Sequence, residues 1–262
     1  MAGKKIGLVL SGGGARGFAH IGALKVFAEY GIAFDLIAGT SAGSIVGGAL
    51  AAGMSIDQII AMSEKIGYSS VMGPSLSVGG MFSNAPLGRF IASHFPVLRL
   101  EELSVPFSAV AFDLANSREV VLSGCGDLAT AIRASCAVPG VFTPVRDETG
   151  RMLVDGGVLS PMPVDTAKDM GADVVIAVDL LSCGSTFRAN SRTGLGILVQ
   201  SALATLRAVT RSEHANADLV IVPEIAHLRP DQIGKRSEFI ELGEMAARDS
   251  IDAIKQLIAG ND

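Results

Sequence analysis

The stretch of sequence that decides the fold is Leu36–Met54, LIAGTSAGSIVGGALAAGM, which contains no charged residue. A strand is predicted over Phe34–Ala38, which overlaps its start, and Ser44–Ala52 is predicted to be a helix of small residues. The stretch is long enough to span a bilayer, so a membrane span is an alternative. Its hydroxyl groups and glycines, with Asp35 and Asp57 just outside, favour a buried strand, turn and helix.

The turn within this stretch, Gly39-Thr40-Ser41-Ala42-Gly43, has the pattern G-x-S-x-G. In a nucleophile elbow, a tight turn from strand to helix strains the backbone of the serine and projects its hydroxyl, and only small neighbours fit around it. The pattern alone is weak in a chain with 31 glycines, but a predicted strand precedes it and a predicted helix follows. We therefore predict that Ser41 is a nucleophile, with Gly39 and Gly43 shaping the turn.

A glycine-rich loop, Gly12-Gly13-Gly14-Ala15-Arg16-Gly17, connects a predicted strand, Ile6–Leu10, to a predicted helix, Phe18–Tyr30. A dinucleotide site would need an acidic residue after the second strand, where Gly39–Ser41 stands, and a Walker loop would need a Lys-Ser/Thr pair. Free N–H groups at a helix start attract negative charge, which suits a phosphate or a transient oxyanion equally. Nucleotide binding therefore remains an alternative.

A third motif, Asp155-Gly156-Gly157, follows the predicted strand Met152–Val154. By itself such a motif is more typical of a turn. It gains interest because the hydroxyl of Ser41 needs a base to accept its proton, and a carboxylate of raised pKa can serve.

A histidine is the alternative base. Both His214 and His227 follow Asp155 in the chain, so the Ser–Asp–His order of α/β-hydrolases is formally available. His214 lies at the charged end of a predicted helix and His227 in a loop, neither of them typical of a catalytic residue. His20 lies near the glycine-rich loop, where packing or capping is the expected role.

Composition limits the class of protein. The 262 residues are 49% hydrophobic and only 18% charged, with a mean hydropathy of +0.45. A net charge of −5 argues against nucleic-acid binding, and three scattered cysteines form no metal-binding pattern. The start of the chain lacks the apolar segment of a signal peptide, which predicts a cytoplasmic protein.

The order of predicted elements indicates an α/β fold. Strands alternate with helices along the chain, which predicts a three-layer α/β/α domain with a mainly parallel central sheet. We find no linker that divides residues 1–262, so a single domain is expected, with its motifs within about 5–180.

One long segment, Gly67–Asn84, is predicted to be a loop. It is rich in glycine, serine and methionine and carries scattered apolar residues. Long loops inside compact domains are usually functional or mobile. Two interpretations stay open: the segment lines or covers a pocket for an apolar ligand, or it is an ordinary surface excursion packed on the core.

The three motifs, in this order and spacing, resemble those of the patatin-like phospholipases. Further similarity lies in Arg133–Phe142 (RASCAVPGVF), which resembles R-A-S-x-x-x-P-x-x-F, and in Gly80–Phe82 and Ala217–Pro223. The resemblance extends from about residue 5 to 258. Within the family, the chain resembles compact bacterial members and the catalytic domain of neuropathy target esterase most.

The resemblance implies a patatin-like fold, related to the nucleophile-elbow architecture of α/β-hydrolases, and a serine–aspartate dyad. Ser41 would attack an acyl carbonyl, Asp155 would accept its proton, and the N–H groups of Gly12, Gly13 and Gly14 would form the oxyanion hole. Supporting motif positions would be Arg16, Gly17, Gly39, Gly43, Gly156 and Gly157. For Arg16 two roles are open, holding the glycine-rich loop or carrying a solvated charge.

The implied activity is hydrolysis of carboxylic esters in phospholipids or lysophospholipids, without metal or cofactor. Peripheral membrane contact would use a local apolar lip within Val71–Phe82, because the net charge offers no attraction to anionic lipid. The alternative from another class is a non-catalytic lipid-binding or regulatory module of the same fold. The oligomeric state is left open.

Overall fold

A computed structural model describes residues 3–75, 79–184 and 194–259. The strands within these residues are β1 (Ile6–Leu10), β2 (Leu36–Thr40), β3 (Gly73–Pro74), β4 (Phe82–Ser83), β5 (Phe107–Asp113), β6 (Arg118–Ser123), β7 (Val145–Arg146), β8 (Met152–Asp155), β9 (Val174–Val178) and β10 (Leu219–Ile221). Eight of them form one sheet in the order β10-β9-β1-β2-β5-β8-β7, with β6 also paired to β5, and β3 and β4 form a small separate hairpin.

The centre of the large sheet is parallel, as predicted. Strands β10, β9, β1, β2 and β5 run parallel, whereas β6, β7 and β8 are antiparallel to their neighbours. The β5–β6 and β7–β8 pairs are antiparallel for a local reason, because a short turn connects the strands of each pair and can only join antiparallel strands. The sequence predicts a hairpin turn at Asp147–Gly150, and the structure shows it as the second of these connections. The antiparallel pairing of β8 with β5 is not fixed by a turn.

Helices cover both faces of the sheet. They are α1 (Phe18–Glu29), α2 (Ala42–Ala51), α3 (Ile56–Glu64), α4 (Tyr68–Val71), α5 (Ala85–His94), α6 (Leu128–Ser135), α7 (Val164–Asp169), α8 (Gly194–Glu213), α9 (Arg236–Asp249) and α10 (Ile251–Ala259). The sequence predicts one helix over Phe239–Ile258, but the structure ends α9 before Ser250, whose hydroxyl donates to the carbonyl of Ala246, and begins α10 at Ile251.

Alternation along the strands divides the core into two layers. Leu8 and Leu10 of β1 pack in a large cluster with α1, α2, α3 and α9, while Val9 packs on the opposite face. The smaller cluster joins Val9 to Val164 and Ala167 of α7. Because helices cover both faces of the sheet, the central strands are buried on both sides, which accounts for their uninterrupted apolar sequences. This arrangement confirms the three-layer α/β/α fold.

The register of the sheet brings two strand ends together. Thr40 at the end of β2 pairs with Val110, and Asp155 at the end of β8 pairs with Ala111, the next residue of β5. Strands β2 and β8 therefore pair with the same edge of β5. They run in opposite directions, so their C-terminal ends meet. Their meeting point places the residues that follow β2 beside Asp155.

The apolar stretch that could have spanned a bilayer is divided between β2 and α2, so that alternative is wrong. Among the helices of residues 3–75, 79–184 and 194–259, none has the length and apolar character needed to cross a membrane.

The segment 67–84 is more ordered than a plain loop in its described part. It contains the short helix α4 and the β3–β4 hairpin, and Phe82 exchanges backbone hydrogen bonds with Val141 and Thr143. Residues 76–78 lie outside the described residues, as do residues 185–193 of the predicted polar connector Ser182–Thr193.

Candidate active site

Ser41 occupies a strained turn between β2 and α2. Its backbone torsions are φ 53° and ψ −122°, a combination that residues with a side chain rarely adopt. The turn is so tight that a Cβ atom on Gly43 would lie 2.0 Å from the carbonyl oxygen of Leu10. The N–H of Ser41 donates to the hydroxyl oxygen of Ser135 at 2.9 Å, which helps to hold the turn.

Asp155 lies beside Ser41 and is only 6% exposed. Burial raises the pKa of Asp155 to about 6, although the side chain of Ser41 and the N–H of Gly157, 2.8 Å from Oδ1, favour the charged form. A carboxylate with such a pKa is a stronger base than a solvated one and is still ionised at neutral pH.

Two backbone N–H groups of the glycine-rich loop lack an acceptor among the described residues, and one of the two residues, Gly14, lines an apolar cavity together with Ser41. The N–H of Gly12 donates to the carbonyl of Pro161 at 2.9 Å and that of Ala15 to Pro230 at 2.7 Å. Within the part of the chain that the structure describes, no protein acceptor takes the N–H of Gly13 or Gly14. The structure therefore differs from the expectation at Gly12, whose donor is occupied, and leaves Gly13 and Gly14 available to an anion.

Arg16 is a buried cation, 2% exposed, and not a solvated charge. Its guanidinium donates to the carbonyls of Leu228 at 2.9 and 3.1 Å, Leu180 at 3.1 Å and Gly184 at 3.2 Å. Burial lowers its pKa. Because three carbonyls from two other loops converge on this side chain, Arg16 fixes the glycine-rich loop against them.

The histidines have partners away from the two candidate residues. His214 Nε2 lies 2.7 Å from Asp179 Oδ2, and His227 Nε2 lies 3.2 Å from Glu238 Oε1. His20 is fully buried against the carbonyl of Ser11, and burial lowers its pKa to about 4. Among the described hydrogen bonds, none joins a histidine to Ser41 or Asp155, which weighs against a triad.

Comparison with known proteins identifies the family. The model of patatin-like phospholipases matches residues 8–168, more than half of the chain, and the match includes Ser41 and Asp155. The chain belongs to this family. An uncharacterized NTE family protein of Mycobacterium tuberculosis is 36% identical over 179 residues, which cover 67% of this chain and 49% of that one. Patatin-like phospholipase domain-containing protein 7 of Mus musculus is 37% identical over 193 residues, which cover 71% of this chain but 14% of that one.

Two solved structures share the patatin fold at low sequence identity. VipD from Legionella pneumophila superimposes with a TM-score of 0.59 and 16% identity, over 96% of this chain and 67% of that one. The type III effector protein ExoU gives a TM-score of 0.52 and 14% identity, over 95% and 53% of the two chains. The chain spans about half or less of the curated relatives above, and the structural likeness concerns the fold.

Two residues that were assigned no role from the sequence complete the surroundings of Ser41 in this family member. Cys136 is buried next to Ser41 and Ser44, and burial together with the charge of Asp155 raises the pKa of its thiol. Thr40 donates through its hydroxyl to the carbonyl of Ser160 at 2.8 Å. Cys136 falls in the segment that carried the family resemblance, but nothing in the sequence indicated its contact.

An apolar cavity of about 240 Å³ opens beside Ser41. The described segment 67–84 contributes to it, since Tyr68, Val71 and Met72 line it, which favours the first of the two interpretations of that segment. The lining residues with the deepest burial come from four helices and are Phe18, Ile21, Val46, Met62 and Leu87. Tyr68 is 54% exposed at the mouth, and its hydroxyl donates to the carbonyl of Asp231 at 2.6 Å.

We predict that Ser135→Ala lowers kcat about fivefold and leaves KM within about twofold, because the lost hydrogen bond to the N–H of Ser41 is of the order of 1 kcal/mol. Ser135→Thr keeps a hydroxyl and should recover most of the rate. The measurement is steady-state kinetics with a soluble ester, alongside thermal unfolding. If Ser135→Ala had the same kcat as wild type, a positioning role for Ser135 would be contradicted.

Proposed function

We propose that the chain is a serine lipid acyl hydrolase that cleaves carboxylic esters of phospholipids or lysophospholipids through a dyad of Ser41 and Asp155. The observation that carries the proposal is a strained serine that lies beside a buried carboxylate at an apolar cavity. Membership of the patatin-like phospholipase family supports the same reaction class.

In the first step, Asp155 accepts the proton of the Ser41 hydroxyl while Oγ attacks the acyl carbonyl carbon. The negative charge that develops on the carbonyl oxygen is stabilised by the N–H groups of Gly13 and Gly14. One such donor contributes about 3 kcal/mol in other hydrolases. Collapse of the tetrahedral intermediate breaks the ester bond, and the protonated carboxyl of Asp155 returns the proton to the departing alkoxide.

In the second step, Asp155 takes a proton from water, and the hydroxide attacks the carbonyl of the acyl-enzyme. The same two N–H groups stabilise the second intermediate. Its collapse releases a fatty acid and returns the proton to Ser41 Oγ, so the enzyme regains its initial state without a cofactor.

Contact with a lipid surface is part of the proposal. Two apolar lining residues of the cavity, Tyr68 and Val138, are 54% and 39% exposed. Met81, next to Phe82, whose N–H donates to the carbonyl of the lining residue Val141, is 61% exposed. Such a rim can enter the boundary of a membrane without a spanning helix. An ester in the membrane then reaches Ser41 through the cavity mouth.

The test is turnover of a lipid panel, namely a lysophospholipid, a diacyl phospholipid in vesicles and a neutral monoacylglycerol, with products read by mass spectrometry. A fluorophosphonate should add its mass to the peptide that contains Ser41. Binding of lipid without labelling or fatty-acid release would identify a non-catalytic lipid-binding module instead. Saturable binding of NAD or ATP in calorimetry, without ester hydrolysis, would identify a nucleotide-binding protein.

A further inference from the structure

The cavity beside Ser41 has a definite inner end. Along α3 and the residues after it, the lining includes Ile66, which is partly exposed, and Met62, which is 3% exposed. Ile59 lies about one turn further along the same face of α3, is fully buried and does not line the cavity. The cavity therefore stops at Met62 on this side.

The other walls at this depth are rigid. Ile21 on α1, Val46 on α2 and Leu87 on α5 are branched residues of the main core, and each is at most 5% exposed. Methionine has an unbranched side chain that can fill the end of a cavity in more than one rotamer. Of these four residues, Met62 is thus the one whose side chain can be altered with the least disturbance of the sheet.

The volume sets the size of the group that fits. A cavity of about 150 Å³ accommodates benzene, which corresponds to roughly 25 Å³ per carbon atom. At this ratio, 240 Å³ holds about ten carbons, while a sixteen-carbon chain would need about 400 Å³. The lining is almost entirely apolar, so a hydrocarbon chain is the matching occupant.

We propose that this cavity selects acyl groups of about eight to ten carbons and that Met62 sets the upper limit. The inference rests on the proposed esterase function and narrows its substrate class to medium-chain acyl esters. An acyl carbonyl at Ser41 directs its chain along the first turn of α2, past Val46, towards Met62. Longer chains meet the Met62 side chain before the carbonyl reaches Oγ.

The test is the dependence of kcat/KM on chain length for nitrophenyl esters of linear acids from four to sixteen carbons, assayed below their micelle concentrations. Wild type should show a maximum at about eight to ten carbons and at least a 10-fold lower value at sixteen. Met62→Ala removes three heavy atoms and should move the maximum by about three carbons towards longer chains. Met62→Phe should move it towards shorter chains.

Ile59→Ala is the matched control, because it removes a buried side chain of the same helix behind Met62. It should lower thermal stability without moving the maximum. A wild-type maximum at sixteen carbons, or an unmoved maximum in folded Met62→Ala and Met62→Phe, overturns the inference while leaving the esterase proposal intact. Failure to hydrolyse any ester of the series overturns both.

Discussion

The Ser41→Ala variant is expected to lose about four to six orders of magnitude in kcat/KM for ester hydrolysis. Removal of the serine nucleophile in other serine hydrolases costs about this much, because no other group can form the acyl-enzyme. The thiol of Cys136 lies next to Ser41 but cannot substitute, since burial and the charge of Asp155 keep it protonated. The measurement is hydrolysis of a nitrophenyl ester by highly purified protein, with Ser93→Ala, an exposed helix position, as the control.

A second substitution at the same position separates catalysis from folding. Ser41→Gly is equally unable to form an acyl-enzyme, but glycine adopts a φ of 53° without steric cost. Strained torsions of this kind cost about 1–3 kcal/mol, so this variant should unfold at a higher temperature than wild type. Activity within tenfold of wild type in either variant would refute Ser41 as the nucleophile.

The elements around Ser41 were predictable because each has a local signal. The short apolar run Ile6–Leu10 predicted β1 with the bounds that the structure shows, and the charge-free stretch predicted β2 and α2 to within about two residues. The short helix α4 and the helix α5 were not predicted. Helix α5 is only ten residues long and contains Gly88, so its intrinsic helical propensity is low and its formation depends on packing.

The fixing of the glycine-rich loop could not be predicted from sequence. Its partners are the carbonyls of Pro161, Leu228 and Pro230, and every residue of a chain has a carbonyl. Only the path of the backbone determines which of them meets Gly12, Arg16 or the N–H of Ala15. For the same reason the sequence did not indicate that the N–H of Gly12 donates to the carbonyl of Pro161.

The contact between Ser41 and Asp155 could be predicted from the sequence only in part. The motifs marked both residues, and the family resemblance paired them. Their contact depends on the antiparallel entry of β8, which pairs Asp155 with the residue after the partner of Thr40. A mainly parallel sheet, as expected from the alternation of strands and helices, does not by itself produce that end-to-end meeting.

The second large effect is expected for Asp155→Asn, which should lower kcat/KM by about 10²- to 10⁴-fold, the usual contribution of a positioned general base. In wild type, kcat/KM should rise with pH, with a midpoint near pH 6 and a plateau above about pH 7, because the base must be ionised and burial raises the pKa of Asp155 to about 6. The measurement is a pH profile of kcat/KM between pH 4.5 and 9.

Histidine variants discriminate between the dyad and a triad. His214→Ala and His227→Ala should keep activity within about threefold, because these side chains bond to Asp179 and Glu238 rather than to Ser41 or Asp155. Loss of activity in one of them, with Asp155→Asn still active, would establish a triad and refute the dyad.

Stability should change in the opposite direction to activity. The pKa of Asp155 is about 6 in the folded protein and near its ordinary 3.8 in the unfolded chain, so the folded state binds more protons between these values. The free energy of unfolding therefore falls as pH rises from about 4 to 6, by about 3 kcal/mol for two pKa units. Asp155→Asn removes this pH-dependent loss of stability and keeps an oxygen that can accept the hydrogen bond from the N–H of Gly157.

The variant should consequently be more stable than wild type at pH 8, and the advantage should disappear near pH 4. The two proteins are compared at each pH by denaturant unfolding, so that the contributions of other titrating groups to stability cancel. One such group is Glu213, since burial raises its pKa to about 8. An Asp155→Asn variant that is less stable than wild type at pH 8 would show that the ionised carboxylate stabilises the fold. In that case Asp155 would be a structural charge and not a base that the folded protein destabilises for catalysis.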